Sequence, residues 1–278
     1  MPSLGNRPYT TPVTLTQSFL LGIVQGLTEF LPVSSTAHLM LAQVSMGLPS
    51  DLQGFDILLH AGTLIALVLC YPGAWWAMIR SPFTGDKASQ NMLTLLVLAT
   101  IPGAVAGVLF ADAVERSMGS IRALGWQLLF NAALLIIAER CSERRSRDTA
   151  NIGDALGIGI AQAIALVPGI SRSAITIAAG RARGLRRRDA LDFSFLMATP
   201  IIAGATLFAA AHIVAGDISV PPAHITIAGI VSACISSIAA ILFLRAFVVS
   251  RSLAWFALYL VPIGLLLCVG LSDKMLSL

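Results

Sequence analysis

Charge is what this chain most lacks. Only 12% of its 278 residues are Asp, Glu, Lys or Arg, against about 25% in soluble domains, and the mean hydropathy of +0.84 excludes an ordinary water-soluble class. Cysteine is as sparse: Cys70, Cys141, Cys234 and Cys268 stand far apart without Cys-x-x-Cys spacing. Neither a zinc cage nor a disulfide framework is encoded, and packing is the simplest use of the thiols. The N-terminal stretch has Pro2, Pro8 and Pro12, a single Arg, and no small-residue cleavage site after an apolar run that Gln25 and Glu29 interrupt. It does not read as a removable signal peptide. Although the pI is near 9.2, basic residues do not interleave with aromatics on one face, so no nucleic-acid partner is expected.

What the chain has instead is long apolar runs. Windows near Ile57–Ile79, Met92–Ala111, Ile121–Ala138, Leu191–Val214, Ile225–Leu244 and Leu253–Leu271 approach the ~20 residues needed to cross a bilayer. Six spans of an all-α, polytopic membrane protein in contact with membrane lipids are therefore expected. With both termini outside, thirteen of the eighteen Lys and Arg residues fall in inside loops, from Arg80 and Lys87 to Arg245 and Arg251. Only Arg7, Arg116, Arg122 and Lys274 remain outside, an asymmetry that matches the positive-inside rule.

The two halves echo each other. Gly22-Ile23-Val24-Gln25 matches Gly159-Ile160-Ala161-Gln162 at an offset of 137, and at 136 Pro32 meets Pro168, Ser35 meets Ser171, Asp56 meets Asp192, Thr63 meets Thr199 and Ile65 meets Ile201. Trp126 and Trp255 then match at 129. The reading is a first repeat over residues 1–148 and a second over 149–278. Each opens with a segment too polar at its centre for one span (15–48 and 152–179), followed by three spans. Because three is odd, the second repeat enters the membrane inverted. Re-entrant helix-turn-helix hairpins, turning at Pro32 and at Pro168-Gly169, then satisfy both the polarity and the charge bias. Interrupted segments at corresponding positions of two halves point to a binding site where their tips meet.

Polar groups within apolar sequence cost about 2.5–3.5 kcal/mol each when ionised, so Glu29 and Arg172 are functional candidates by default. Gln25 and Glu29 are four apart and share a helical face. Glu29 suits a base or a hard-oxygen metal ligand, with the Gln25 amide oxygen as a neutral second ligand. Ser34, Ser35 and Thr36 follow Pro32 at the start of a helix, a position that favours anions. Ser34 alone also suits an N-cap. His38 lies three residues past Ser35 and is placed to hydrogen-bond its hydroxyl or a phosphate oxygen. In the second tip, Ser171, Arg172 and Ser173 read as a phosphate clamp, the guanidinium fork matching phosphate oxygens. Asp56 and Asp192 are expected near span ends in hydrogen-bonding or capping roles, His60 to pair with Asp56 one turn away, and His212 and His224 carry no specific indication.

Gln25-x-x-x-Glu29, Pro32-Val33-Ser34-Ser35-Thr36-Ala37-His38 and Pro168-Gly169-Ile170-Ser171-Arg172-Ser173 together resemble the two signature motifs of the bacterial undecaprenyl-pyrophosphate phosphatase family, the integral-membrane type linked to bacitracin resistance. The resemblance spans nearly the whole chain. It implies removal of the terminal phosphate from a C55 polyprenyl pyrophosphate carrier used in cell-wall peptidoglycan synthesis, residence in the bacterial inner membrane, and dependence on Mg²⁺ or Ca²⁺. Carried over, Glu29, Ser35, His38 and Arg172 occupy catalytic positions, with Gln25, Ser34, Thr36, Ser171 and Ser173 around the substrate. Gln25 fills the first place of a Glu-or-Gln motif and leaves one carboxylate fewer for metal. Two routes stay open: attack by Ser35 with His38 or Glu29 managing the proton, or attack by His38 itself. A transporter or flippase of a phosphorylated lipid is the rival class, because inverted repeats with broken helices are also a transporter architecture. A homodimer is compatible with the sequence, which determines no oligomeric state.

Overall fold

The computed structural model describes residues 13–48, 52–117 and 121–269; among them all regular structure is helical apart from one isolated bridge between Arg145 and Leu185. Helix α1 (Leu15–Phe30) starts at a capping box in which Thr14 accepts from the Gln17 backbone and Gln17 reaches back. It stops at Leu31 because the following Pro32 offers no N–H and pushes the residue before it to extended backbone. Ser34 then caps α2 (Ser35–Ser45), its side chain accepting from the Ala37 N–H. Next come α3 (Gln53–Cys70), α4 (Pro72–Thr84), α5 (Lys87–Ser117) and α6 (Ile121–Glu139). After a single 3-10 turn at Arg147–Thr149, α7 (Ile152–Ile164) begins at a second capping box, Asn151 with Asp154, and α8 (Arg172–Ala182) begins at Ser171. The chain continues through α9 (Arg187–Ala215), α10 (Ala223–Ser250) and α11 (Trp255–Val269).

By length and composition, α5, α6, α9 and α10 can cross a membrane, and the α3–α4 pair makes a fifth candidate. This is a polytopic membrane protein. The expected continuous span Ile57–Ile79 is not one helix: the chain bends by 77° between α3 and α4. Pro72 is the physical reason, because it offers no N–H to the preceding turn and its fixed φ suits the first position of a new helix. The last expected span is represented by α11, 15 residues long, while Leu271, its expected end, lies outside the described residues, as do Arg7 and Lys274.

Helix α1 packs on α10 and α7 packs on α5; α3 touches α9 and α10, α5 touches α9, and α6 lies between α8 and α11. Small residues set these distances. A methyl group on Gly22 would stand 2.3 Å from the Gly229 carbonyl oxygen, and one on Gly159 would stand 2.4 Å from that of Ala99. Such close backbone approach is how helices associate where lipid removes the hydrophobic drive.

Several charges of the basic loops are paired with carboxylates. Asp154 is buried and takes Arg145 and Arg183, each at 2.8 Å, while Arg187 holds Glu139 at 2.7 Å. Asp192, expected in a hydrogen-bonding or capping role, accepts from the Tyr71 hydroxyl at 2.6 Å and faces Arg147 and Arg245 at 3.4 and 3.2 Å. All four cysteines are free.

Candidate active site

The two proline turns bring their tips together around Glu29. Its Oε1 accepts from Arg172 Nη2 at 2.6 Å, an ion pair between residues 143 apart in sequence. Its Oε2 accepts from Ser35 Oγ at 2.7 Å and from Gln25 Nε2 at 3.1 Å. The carboxylate is 8% exposed and the ion pair is largely withdrawn from water. A charge so placed needs its partners, and removing one leaves the other uncompensated at a cost of about 3–5 kcal/mol.

Residues near each tip fix this geometry. Ser34 adopts φ 76°, the only described non-glycine residue with positive φ, a conformation that costs about 1–3 kcal/mol and persists only where surroundings enforce it. Its carbonyl accepts from His38 Nδ1 at 2.7 Å. At the second tip Gly169 has φ +91°, and a side chain there would collide with Gln127 Oε1, 2.1 Å from the position of a Cβ. Asn131, fully buried in α6, clamps this tip from both sides: its Nδ2 donates to the Gly169 carbonyl at 2.9 Å and its Oδ1 accepts from the Ser171 N–H at 3.0 Å. Ser173 Oγ donates to the Leu31 carbonyl at 3.2 Å and ties the tips to each other.

A cavity of about 190 Å³ opens beside Glu29, lined on its polar side by Thr28, Glu29, Ser35, Thr36, His60, Ser171 and Arg172. Of the residues singled out from sequence, Glu29, Ser35, Thr36, Ser171 and Arg172 therefore reach one space. Gln25 is buried directly behind Glu29. Ser34 and Ser173 are buried and line no part of the cavity; their hydroxyls serve the α2 cap and the tip-to-tip contact. Ser171 lines it, but its hydroxyl is taken up capping α8 and meeting Ser173.

His38 is not where its spacing suggested. With Nδ1 donating to Ser34, the ring's Nε2 lies 2.8 Å from the Tyr259 hydroxyl of α11, and the two rings stack. Both nitrogens are thus occupied away from Ser35 and Glu29, because the carbonyl one turn back captures the imidazole before it can swing toward the hydroxyl. His60 takes the place beside Glu29 instead, its Nε2 3.5 Å from Oε2. Its Nδ1 donates to the Asp56 carbonyl at 2.8 Å, so only the doubly protonated ring offers a hydrogen toward Glu29. The expected His60–Asp56 pairing thus forms through the backbone carbonyl, while Asp56 Oδ1 accepts from Gln43 Nε2 at 2.7 Å. His60 and Asn131 were missed as site residues, since contacts between distant helices leave no local spacing; a polar residue inside each apolar span was the available signal.

No three His, Cys, Asp or Glu side chains converge into a metal cage among the described residues. Glu29 is the one carboxylate on the cavity, and both its oxygens already hold protein donors. One feature does fit a hard cation. Gln25 Oε1 is buried without a hydrogen-bond partner, one turn from Glu29. The donor set suits a cation brought in with an anionic ligand better than one held by protein alone.

Comparison with known proteins places the chain in a family. The undecaprenyl-diphosphatase of Rubrobacter xylanophilus is 41% identical over 256 residues, covering 88% of this chain and 94% of that protein. That of Desulforudis audaxviator is 37% identical over 255 residues, 91% of this chain and 96% of its own, and undecaprenyl-diphosphatase 3 of Bacillus cereus is 36% identical over 252 residues, 90% and 95%. Residues 18–266, which contain both tips and every residue lining the cavity, match the family model of the bacitracin resistance protein BacA, and the chain belongs to that family.

Proposed function

We propose that this protein hydrolyses undecaprenyl pyrophosphate to undecaprenyl phosphate and inorganic phosphate. The observation that carries the reading is the continuous hydrogen-bonded path from Ser35 through Glu29 to Arg172 across the two tips. The relatives' shared name supplies the substrate.

In this reading a pyrophosphate entering the cavity draws the Arg172 fork from Glu29 onto its own oxygens, where a planar bidentate donor binds best. Ser35 Oγ then forms a bond to the terminal phosphorus as the bridging P–O bond breaks, and its proton passes to Glu29 Oε2, 2.7 Å away. Undecaprenyl phosphate leaves. Water attacks the phosphoserine, Glu29 returns a proton to Ser35 Oγ and takes the one that water loses, and inorganic phosphate departs. Arg172 and His60 balance charge on the transferring group, the larger part of catalysis in phosphoryl transfer. Gln25 and Glu29 are the residues to hold Mg²⁺ or Ca²⁺, which when bound supplies neutralisation of pyrophosphate charge.

The finer architecture belongs to the same reading: six spans, two re-entrant hairpins (15–48 and 152–179), inverted repeats over 1–148 and 149–278, both termini outside, and residence in the inner membrane. Its support is the paired packing, α1 on α10 matching α7 on α5 and α3 on α10 matching α9 on α5. Impermeant thiol reagents would label a cysteine at Ser219 from outside and spare one at Ser146; the reverse pattern would invert the orientation. A pure carrier has nothing specific in its favour, since it needs a clamp but no hydroxyl paired with a carboxylate. Purified protein in detergent with undecaprenyl pyrophosphate is the direct test. Phosphate release, abolished by chelator and restored by Mg²⁺ or Ca²⁺, is expected; lipid bound without phosphate release would overturn the proposal.

A further inference from the structure

The cavity has a second, apolar wall. Besides its polar residues the cavity is lined by Ala165, Ile170, Ile201, Ile202 and Ala205, no place for a pyrophosphate. Ala205 is at once part of this wall and exposed on the outer face of α9, so the cavity reaches the surface there. One turn earlier it is shut, because Gly103 of α5 packs against both Gln162 of α7 and Ile201 of α9, with contacts of 3.1 and 3.5 Å from its Cβ position. One turn further along each helix the closure ends. A Cβ on Gly107 of α5 or on Gly204 of α9 would meet nothing within 4 Å. Helix α7 stops at Ile164, so beyond the second tip no element of that hairpin fills the gap between α5 and α9. Exposed apolar residues adjoin these positions in sequence, Val167 just before the second tip and Leu207 and Phe208 next along α9.

We infer that this gap is the doorway through which the polyprenyl chain passes from the cavity into the bilayer, with Ala205 and Gly107 as its jambs. The inference rests on the phosphatase reading, which puts the pyrophosphate at Glu29 and Arg172 and obliges a long hydrocarbon tail to leave by an apolar route. Small residues at the two jambs keep the opening wide enough for a branched isoprenoid. An open apolar groove on α6, lined by Trp126, Phe130 and Ile170, is the competing path. It shares only Ile170 with the cavity and takes no lining residue from α5 or α9.

The test uses the full chain in detergent and an undecaprenyl-length pyrophosphate carrying a photoactivatable diazirine in its second isoprene unit. Phosphate release from this probe by the wild type is measured first; its absence would sink the phosphatase reading and leave the doorway without a ligand to carry. With release present, label on α5 and α9 peptides around Gly107 and Ala205 supports the doorway, and label confined to α6 overturns it. Ala205→Trp and Gly107→Trp should each raise the KM for undecaprenyl pyrophosphate at least tenfold while kcat stays within about threefold, and Trp126→Ala should leave both unchanged. An unchanged KM in both tryptophan variants, with unaltered elution as folded protein, would overturn the assignment.

Discussion

The two hairpins are built alike and do different work. Each turns at a proline and each caps its second helix with a serine, Ser34 before α2 and Ser171 before α8. Aligned on these caps, the offset is 137, the same as for Gln25 and Gln162, so Ser35 corresponds to Arg172 rather than to Ser171. The first helical residue of each tip faces the shared cavity, a hydroxyl from one side and a guanidinium from the other. The capping serines are occupied by backbone N–H groups and unavailable for chemistry. Where the first hairpin carries Glu29, the second carries Leu166, so one half contributes the acid and the other the cation. A duplicated scaffold thus supplies two equivalent positions, and the residue type at each decides its role.

If that division holds, the largest effect short of removing Ser35 comes from exchanging the guanidinium. Arg172→Lys keeps the charge and loses the planar fork, and kcat/KM for phosphate release should fall at least about a hundredfold, close to 3 kcal/mol of transition-state stabilisation. A loss under threefold would show that a point charge suffices. Next is the clamp on the second tip, which has no counterpart described at the first. Asn131→Ala strands the buried Gly169 carbonyl and Ser171 N–H, each worth about 1–3 kcal/mol, so thermal stability in detergent should drop and kcat/KM should fall roughly tenfold as Arg172 loses its support. Normal kinetics in Asn131→Ala would mean the tip holds its shape without α6.

The two histidines sharpen the comparison further. His60→Gln removes the ring beside Glu29 and should cost about tenfold in kcat, whereas His38→Gln, whose ring is tied to Ser34 and Tyr259, should cost less. The opposite ranking would return the proton-handling role to His38. Smallest in its effect on turnover is Asp154, in the first turn of α7 and outside the cavity lining. Burial pushes this carboxyl up, but hydrogen bonds from Arg183 and Arg145 outweigh it and hold the carboxyl below the usual carboxylate range. The stability it contributes is complete above the unfolded value near 3.9 and is lost as pH falls through the lowered folded one. Asp154→Asn should lose about 2 kcal/mol at neutral pH and show a flatter decline on acidification; parallel thermal-shift profiles against pH would contradict this.

Much of the site was legible because its residues are costly where they stand. Glu29 and Arg172 announce themselves as charges in apolar sequence, and Pro32 and Pro168 mark where helices must stop. What was not legible depends on distant helices meeting. Nothing near His60 says that α3 delivers it to Glu29, and nothing near His38 says that α11 brings Tyr259 to its ring. The break at Pro72 was visible as a residue but was overridden by the length of the apolar run around it, and the one-residue shift between the tips becomes clear only once the caps are assigned.

The central claim is that Ser35, held by Glu29 in a space shared with Arg172, is the group that attacks phosphorus. Steady-state phosphate release by folded Ser35→Ala on undecaprenyl pyrophosphate, across a range of Mg²⁺ concentrations, tests it most directly, since the substitution deletes one hydroxyl and little volume. The account predicts a loss of at least about a thousandfold in kcat that no metal concentration restores. Activity within tenfold of wild type would remove Ser35 as the nucleophile.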